Sequence, residues 1–318
     1  MVSVIIPAFR AAGYIAETLS SVFRQSYDDV EVIVVNDGSP DTPQLIDAIA
    51  AWRDRIVYLE QENGGAGSAR NAGLAVARGG LVAFLDADDR WLPGFLDSQV
   101  RFLDRHPECD LVYADARLTG DTPLAGRTFM DAAPSEGAVS VRSLLMQKCT
   151  VLTSTVVARR AAIEAVGGFD ASLRRGQDFD LWLRLAHRGA RIDYQREALV
   201  ERVVRADGLS ADSITELERA SGVMSHIRAK LAFGAAERDT LQRRITAIDA
   251  ALEIERGKRC LRNGRFDLAR RHFQQSMALA PHWKVRLVLA LMGIAPRTFQ
   301  RAYMRLRPPS TAETLSVQ

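Results

Sequence analysis

Acidic residues in the first half of the chain fall into clusters whose types and spacing could do chemistry. Asp86-Ala87-Asp88-Asp89 sets three carboxylates in four residues directly after an apolar run. Hard oxygen donors so placed suit Mg²⁺ or Mn²⁺, cations usually held by one or two carboxylates together with substrate phosphates. Three like charges also repel one another, and a cation relieves that repulsion. The competing reading is a helix N-cap, with Asp88 or Asp89 opening a short helix through Trp91 and Leu92. Asp37, within Val35-Asn36-Asp37-Gly38-Ser39, can accept from a nucleobase imide N–H or a ribose hydroxyl; an Asx turn is the plainer alternative. Gln177-Asp178-Phe179-Asp180 opens a stretch with helical apolar spacing. There Asp178 is either a cap or a base kept ionised by the helix dipole, within reach of a hydroxyl proton. Asn63-Gly64-Gly65-Ala66-Gly67-Ser68-Ala69-Arg70 lets backbone N–H groups approach a ligand closely, or is a plain loop capped by Ser68. It lacks the Lys-Ser/Thr of a Walker A loop, and Gly65, Gly67 and Arg70 depart from the dinucleotide fingerprint.

The elements that must position these groups follow from hydrophobic periodicity. Val2–Ile6, Val30–Val35, Arg55–Leu59 and Leu81–Leu85 read as buried strands. Helical patterns lie between them, over Ala11–Gln25, Pro43–Arg53 and from the glycine-rich segment to about Arg78. This alternation predicts βαβ units and a mostly parallel sheet, that is, an α/β fold. Ligands of such sheets bind at the carboxyl ends of the strands, where each polar cluster stands. Farther on, strands are expected at Asp110–Ala114, Thr153–Ala158 and Arg191–Tyr194, and a strong helix over Asp178–Arg188. After Ser213 only helices are expected, over Ile214–Ala232, Glu237–Arg262 and Phe266–Ala280. The expected domains are therefore 1–213 and 214–318.

Composition narrows the class further. The chain of 318 residues is 47% hydrophobic and 25% charged, a globular balance that excludes wholesale disorder. Three widely spaced cysteines, with no CxxC pair, signal neither a zinc site nor a disulfide framework. No apolar run is long enough to span a bilayer, and the strand-like start carries no signal-peptide pattern. Residues 1–218 carry 23 Lys and Arg against 32 Asp and Glu, whereas residues 219–318 carry 19 against 7. An acidic front (−9) thus precedes a basic tail (+12), which argues against nucleic-acid binding by the front half.

In order and joint spacing, these clusters resemble the family 2 glycosyltransferases, which have the GT-A nucleotide-sugar-binding fold. Val4-Ile5-Ile6-Pro7-Ala8-Phe9 is similar to that family's V-I-I-P-x-[YF] strand end, and Val34 to Ser39 to its D-G-S segment. Asn63-Gly64-Gly65 with Arg70-Asn71-Ala72-Gly73 resembles N-x-G-x-x-x-A-R-N-x-G. Leu85 to Asp89 resembles L-D-x-D-D, and Gly167-Gly168-Phe169-Asp170 with Asp178 and Leu181 to Arg184 resembles G-G-F-D…E-D-x-x-L-x-x-R. The resemblance covers about residues 1–213. It implies an inverting, metal-dependent transfer of one sugar from a nucleotide diphosphate donor, UDP-linked, to a saccharide or lipid-linked saccharide in cell-surface glycan synthesis. It implies that Pro7, Ala8, Phe9, Asp37, Gly65, Arg70, Asp86, Ala87 and Arg205 bind the donor. Asp88 would hold Mg²⁺ or Mn²⁺, Asp178 would be the general base, and Gln177 and Trp182 would meet the acceptor. Two departures stand out. Gln177 replaces the usual Glu before the base, and no His precedes Leu209-Ser210, where Arg205 would substitute. The absence of Gln-x-x-Arg-Trp after Asp178 favours single addition. A nucleotidyltransferase consuming a nucleoside triphosphate, and a scaffold acting through its helical tail, are the competing functions.

In the tail, Gly257, Gly264, Phe266, Ala269, Phe273 and Pro281 resemble one tetratricopeptide unit, with a tight turn at Asn263-Gly264-Arg265. Trp283 to Arg307 mixes apolar residues with Lys284, Arg286, Arg297, Arg301, Arg305 and Arg307. Such a basic amphipathic stretch would suit an anionic membrane surface; a core-facing or dimer-forming helix is the alternative. The expected location is cytoplasmic, with peripheral seating on the inner face of the plasma membrane.

Overall fold

The computed structural model describes residues 1–204 and 213–306. The chain divides into two compact units, Met1–Ala206 and Asp207–Gln318.

The first unit is built on eight strands: β1 (Val2–Ala8), β2 (Val30–Asp37), β3 (Ile56–Gln61), β4 (Leu81–Phe84), β5 (Arg90–Trp91), β6 (Leu111–Gly120), β7 (Val156–Arg159) and β8 (Ile192–Val204). They form one sheet in the order β3-β2-β1-β4-β7-β6-β8-β5. The four leading strands are parallel, β7 runs antiparallel to both β4 and β6, β8 lies parallel to β6, and β5 closes the edge antiparallel to β8. Val2 lies opposite both Val30 and Leu81, Ala8 opposite Asn36, and Asp37 opposite Gln61. This register brings the polar segments that follow β1, β2 and β4 out at one edge of the sheet.

Helices fill the connections: α1 (Ile15–Phe23), α2 (Thr42–Ile49), α3 (Ala66–Val76), α4 (Phe95–Arg105), the short α5 (Phe129–Ala132), α6 (Val141–Leu145) and α7 (Arg160–Ala165), and α8 (Gln177–His187). Alternate β1 residues Val2, Val4, Ile6 and Ala8 join Ile15 and Leu19 of α1, Leu45 and Ile49 of α2 and Phe95 and Leu96 of α4 in one buried core. Alternation at period two in the strand and three to four in the helices is what brings these faces together.

Three local expectations are corrected. Residues 88–92 form no helix: β5 stands there and the next helix starts at Phe95, so neither Asp88 nor Asp89 is a cap. Thr153–Thr155 is a 3₁₀ turn ahead of β7, not a strand. β8 runs over thirteen residues and follows β6 through a register shift between Tyr113 and Ala116, well beyond the short strand expected at Arg191–Tyr194.

The second unit contains α9 (Ser213–Lys230), α10 (Ala235–Arg262), α11 (Phe266–Leu279), α12 (Trp283–Ile294) and α13 (Pro296–Leu306). Helices alone were expected, and Pro296 divides the last basic stretch in two, since a proline donates no helical hydrogen bond. Leu261, Ala269, Phe273, Val285 and Met292 form its core. α10 and α11 make an antiparallel hairpin in which Gly257 abuts the Phe273 ring: a Cβ on Gly257 would lie 2.8 Å from that ring. The hairpin stands where the tetratricopeptide-like spacing lies; the repeat likeness itself stays a reading of that spacing.

Candidate active site

Asp37 ends β2, 2% exposed. Both its carboxylate oxygens accept from the glycine-rich segment: Gly64 N–H and Gln61 Nε2 donate to Oδ1 at 2.8 and 2.7 Å, and Gly65 N–H donates to Oδ2 at 2.8 Å. These bonds cross the chain to another loop, so Asp37 makes no Asx turn; the local side-chain bond belongs to the neighbouring Asn36, whose Oδ1 accepts from Ser39 N–H three residues on. Gly65 is the N-cap of α3 at φ 87, a left-handed conformation that favours glycine, and Ser68 lies inside the helix rather than capping it.

One turn into α3, the Arg70 side chain is 3% exposed. Its Nη2 donates to Asp86 Oδ1 at 2.5 Å and its guanidinium lies 5.3 Å from the Phe169 ring centre. Its Nε and Nη1 are buried without a hydrogen-bond partner. Unmet donors on a buried cation are costly and fit an anionic ligand.

The acidic turn after β4 splits by environment. Asp86 is partly exposed beside Arg70, and Asp88 is half-buried. Asp89 turns inward: Ser154 Oγ–H donates to its Oδ2 at 2.5 Å and Val203 N–H to its Oδ1 at 3.1 Å. Burial, with the nearby Asp86 and Asp88 charges, pushes the Asp89 carboxyl up to about 7 despite the Ser154 bond. A divalent cation fits this turn when one or two carboxylates share it with ligand phosphates. Among the described residues no group of three or more His, Cys, Asp or Glu forms a metal cage.

Gly176, at φ 68, is the N-cap of α8, which puts Asp178 in the first turn rather than at the cap. Thr153 Oγ1–H donates to Asp178 Oδ2 at 3.0 Å, and Phe179 N–H donates to Oδ1 at 2.8 Å. Asp180 is the structural member of the pair, buried and bound by Arg184 at 2.8 Å. The turn before α8 is pinned to α3: Phe169 N–H donates to Asn71 Oδ1 at 2.9 Å, and Asn71 Nδ2 donates to the Phe169 carbonyl at 2.8 Å.

These contacts close a circuit. Asp37 holds Gly64 and Gly65; Arg174 Nη1, from the loop before α8, donates to Asn63 Oδ1 at 2.9 Å. Gln177 packs on Gly67, where a Cβ would lie 3.1 Å from its Cγ. Asp178 takes the Thr153 hydroxyl, and the adjacent Ser154 bonds Asp89 and receives Asp86 N–H. Asp37, the Asp86–Asp88 turn and Asp178 thus stand around one edge of the sheet.

Other expected residues divide. Phe9 is exposed and Pro7 half-buried at the end of β1, but Ala8 and Ala87 turn their methyl groups into the core, leaving only backbone for a ligand. Trp182, 1% exposed and edge-on to Phe169 at 6.4 Å, sits in the interior, so its expected acceptor contact is corrected. Gln177 is buried against α3, with Oε1 unpartnered. Arg205 lies outside the described residues. Sequence reading passed over Thr153, Ser154 and Gln61 as site residues, ordinary polar residues whose roles come only from long-range contact. A separate cavity of about 490 Å³, lined by residues including Asp97, Arg101, His106 and Glu197, contains none of the site residues.

Comparison with known proteins identifies the family and the fold. Residues 3–154 match the profile of Glycosyl transferase family 2, and residues 81–244 that of Glycosyl transferase family group 2. The Escherichia coli UDP-Glc:alpha-D-GlcNAc-diphosphoundecaprenol beta-1,3-glucosyltransferase WfaP is 28% identical over 72% of this chain and 88% of its own. The crystal structure of S. aureus TarS 1-349 in complex with UDP superposes with a TM-score of 0.61, at 19% identity over 96% of this chain and 92% of that one. The mannosyltransferase PcManGT from Pyrobaculum calidifontis, in complex with GDP-Man and Mn²⁺, superposes with a TM-score of 0.62, at 19% identity over 94% of this chain and 83% of that one. The first unit's fold is that of the GT-A glycosyltransferases.

Proposed function

Because the chain belongs to the family 2 glycosyltransferases, we propose that it moves one sugar, with inversion, from a UDP-sugar to a saccharide carried on a lipid diphosphate. The acceptor class is suggested by WfaP, whose name specifies such a substrate, and the nucleotide by the UDP complex of TarS. The destination we infer is a cell-surface glycan. Transfer is assigned to residues 1–213, with residues 214–318 as a separate helical region.

In this reading Asp178 takes the proton of the acceptor hydroxyl as that oxygen bonds to the anomeric carbon. The bond from that carbon to the diphosphate oxygen breaks, and UDP leaves with the electron pair. Thr153 keeps the Asp178 carboxylate oriented by its 3.0 Å hydrogen bond. Arg70, with two unmet buried donors, meets the negative charge of the diphosphate. Asp88 would hold a divalent cation, with Asp86 beside it, and that cation would neutralise charge on the leaving diphosphate. Asp37 acts on the base pocket chiefly by holding Gly64 and Gly65, since its own oxygens are committed to that loop.

What carries the reading is the circuit that brings Asp37, Asp88 and Asp178 to one sheet edge. It is tested by thermal shift and turnover together. UDP should raise the melting temperature when Mn²⁺ is present, through binding to the folded state. Asp88→Ala should remove that shift. Asp178→Asn should keep it and lose acceptor-dependent UDP release by about a hundredfold or more. An Asp178→Asn enzyme of full activity would refute the base assignment, and pyrophosphate release from a nucleoside triphosphate would favour nucleotidyl transfer.

A further inference from the structure

Among the described residues, the helical unit leaves one apolar face without a partner. α12 has two apolar sides. Val285 and Met292 are buried against Leu261, Ala269 and Phe273, with Val288 and Leu289 packed beside them. On the other side, Trp283 is 68% exposed, Leu287 52%, Leu291 40% and Ile294 83%. At 3.6 residues per turn these four fall within about 80° of the helix circumference, a single stripe. Lys284 and Arg286 flank that stripe on either side at the helical period, and both are exposed. A sequence pattern alone shows only that the helix is apolar and basic; the packing separates the residues used by the core from those left outside.

We propose that this stripe seats the protein on an anionic lipid surface, with α12 lying in the interface. Charge decides the occupant. Residues 282–306 contain Lys284, Arg286, Arg297, Arg301 and Arg305 and no Asp or Glu. A second copy would bring the same cations against these and be repelled, whereas anionic headgroups attract them while the acyl region accepts the apolar stripe. Trp283 supplies an amphipathic ring of the kind that settles at headgroup depth. α12 has twelve residues, about 18 Å of helix, too short to cross the roughly 30 Å hydrocarbon layer. Among the described residues no helix is long and apolar enough to cross a membrane. In-plane seating is the geometry that remains for this stripe on a bilayer.

The test reads binding with no nucleotide or acceptor present, so its outcome is independent of the glycosyltransfer reading. The full chain is floated with vesicles of phosphatidylcholine alone and of phosphatidylcholine mixed with an equal part of phosphatidylglycerol. It should float with the anionic vesicles, release in high salt, and show quenching of tryptophan fluorescence by lipids brominated along the acyl chain. Leu287→Ser/Ile294→Ser should weaken partition by about tenfold or more, since each side chain is lost from an apolar contact. Lys284→Gln/Arg286→Gln should do likewise by removing two cations near the surface, about tenfold or more. Trp283→Phe should abolish most of the quenching, because Trp91 and Trp182 are buried in the sheet unit and the half-buried Trp52 belongs to that unit rather than to the stripe. All three variants should keep the native circular dichroism spectrum, as their side chains face outward. Failure to float with anionic vesicles, or flotation unchanged in Leu287→Ser/Ile294→Ser, overturns the proposal. A concentration-dependent dimer that the same double variant dissolves also overturns it and assigns the stripe to a second copy.

Discussion

At the scale of single residues, burial sorts carboxylates that look alike in the sequence. Asp86, Asp88 and Asp89 are one cluster by spacing, yet Asp89 is walled in by Ser154 and Val203 while its neighbours face the sheet edge. Spacing made the cluster legible; it could not say which carboxylate is structural, because Ser154 and Val203 lie far along the chain. The same holds for Asp178 and Asp180, where the half-buried Arg184 claims the buried second one. Asp89 also has a measurable consequence. Its carboxyl is raised from 3.8 to about 7 by burial and by the neighbouring aspartates. The folded state therefore holds this proton more tightly than the unfolded chain does. Its contribution to stability is complete below about pH 4 and is lost as the pH rises through about 7. In metal-free buffer, the melting temperature should fall between pH 5 and pH 8, and Asp89→Asn should flatten that fall, since an amide can accept from Val203 and donate to Ser154 without titrating. A pH profile unchanged by Asp89→Asn would remove this carboxyl from the cause.

At the scale of elements, strands of the leading parallel half were legible because they are short apolar runs bounded by turns. β8 was not: it carries polar residues through most of its length, and its pairing with β6 passes through an irregular register near Asp115. Period-two signals fail where a strand is half-covered and bulged. What positions the candidate base is likewise invisible to periodicity. The turn Gly168–Asp170 is held to α3 by two hydrogen bonds from the one Asn71 side chain, and Gly168 sits at φ 68 with Asn71 Oδ1 only 2.7 Å from where a Cβ would lie. Asn71→Ala removes both bonds and leaves the Phe169 backbone groups unpaired, a cost of about 1–3 kcal/mol. Because this turn leads directly into α8, the substitution should also lower kcat through Asp178 while leaving the UDP-driven rise in melting temperature in place. Urea denaturation and steady-state kinetics on the same preparation check both halves, and a wild-type kcat at reduced stability would confine Asn71 to folding.

At the scale of the whole molecule, the acidic front and basic tail read from charge counts correspond to chemistry of different kinds: a sheet edge crowded with carboxylates, and a helical unit whose last stretch, residues 282–306, carries five cations and no acid. Each unit also has its own buried core, one spanning β1, β2 and the helices α1, α2 and α4, the other centred on Phe273 and Leu261. Separate cores imply separate cooperative transitions, unlike the all-or-none melting of a small single domain. Phe273 fills the space left by Gly257, so Phe273→Ala should cost about 3–5 kcal/mol within the helical unit. In scanning calorimetry this substitution should lower one transition by several degrees and leave the other, which UDP with Mn²⁺ raises, where it was. A single transition that moves with both the substitution and the nucleotide would mean that the two cores melt as one, and that the helical unit is part of what keeps the sheet folded rather than a separately folded attachment to it.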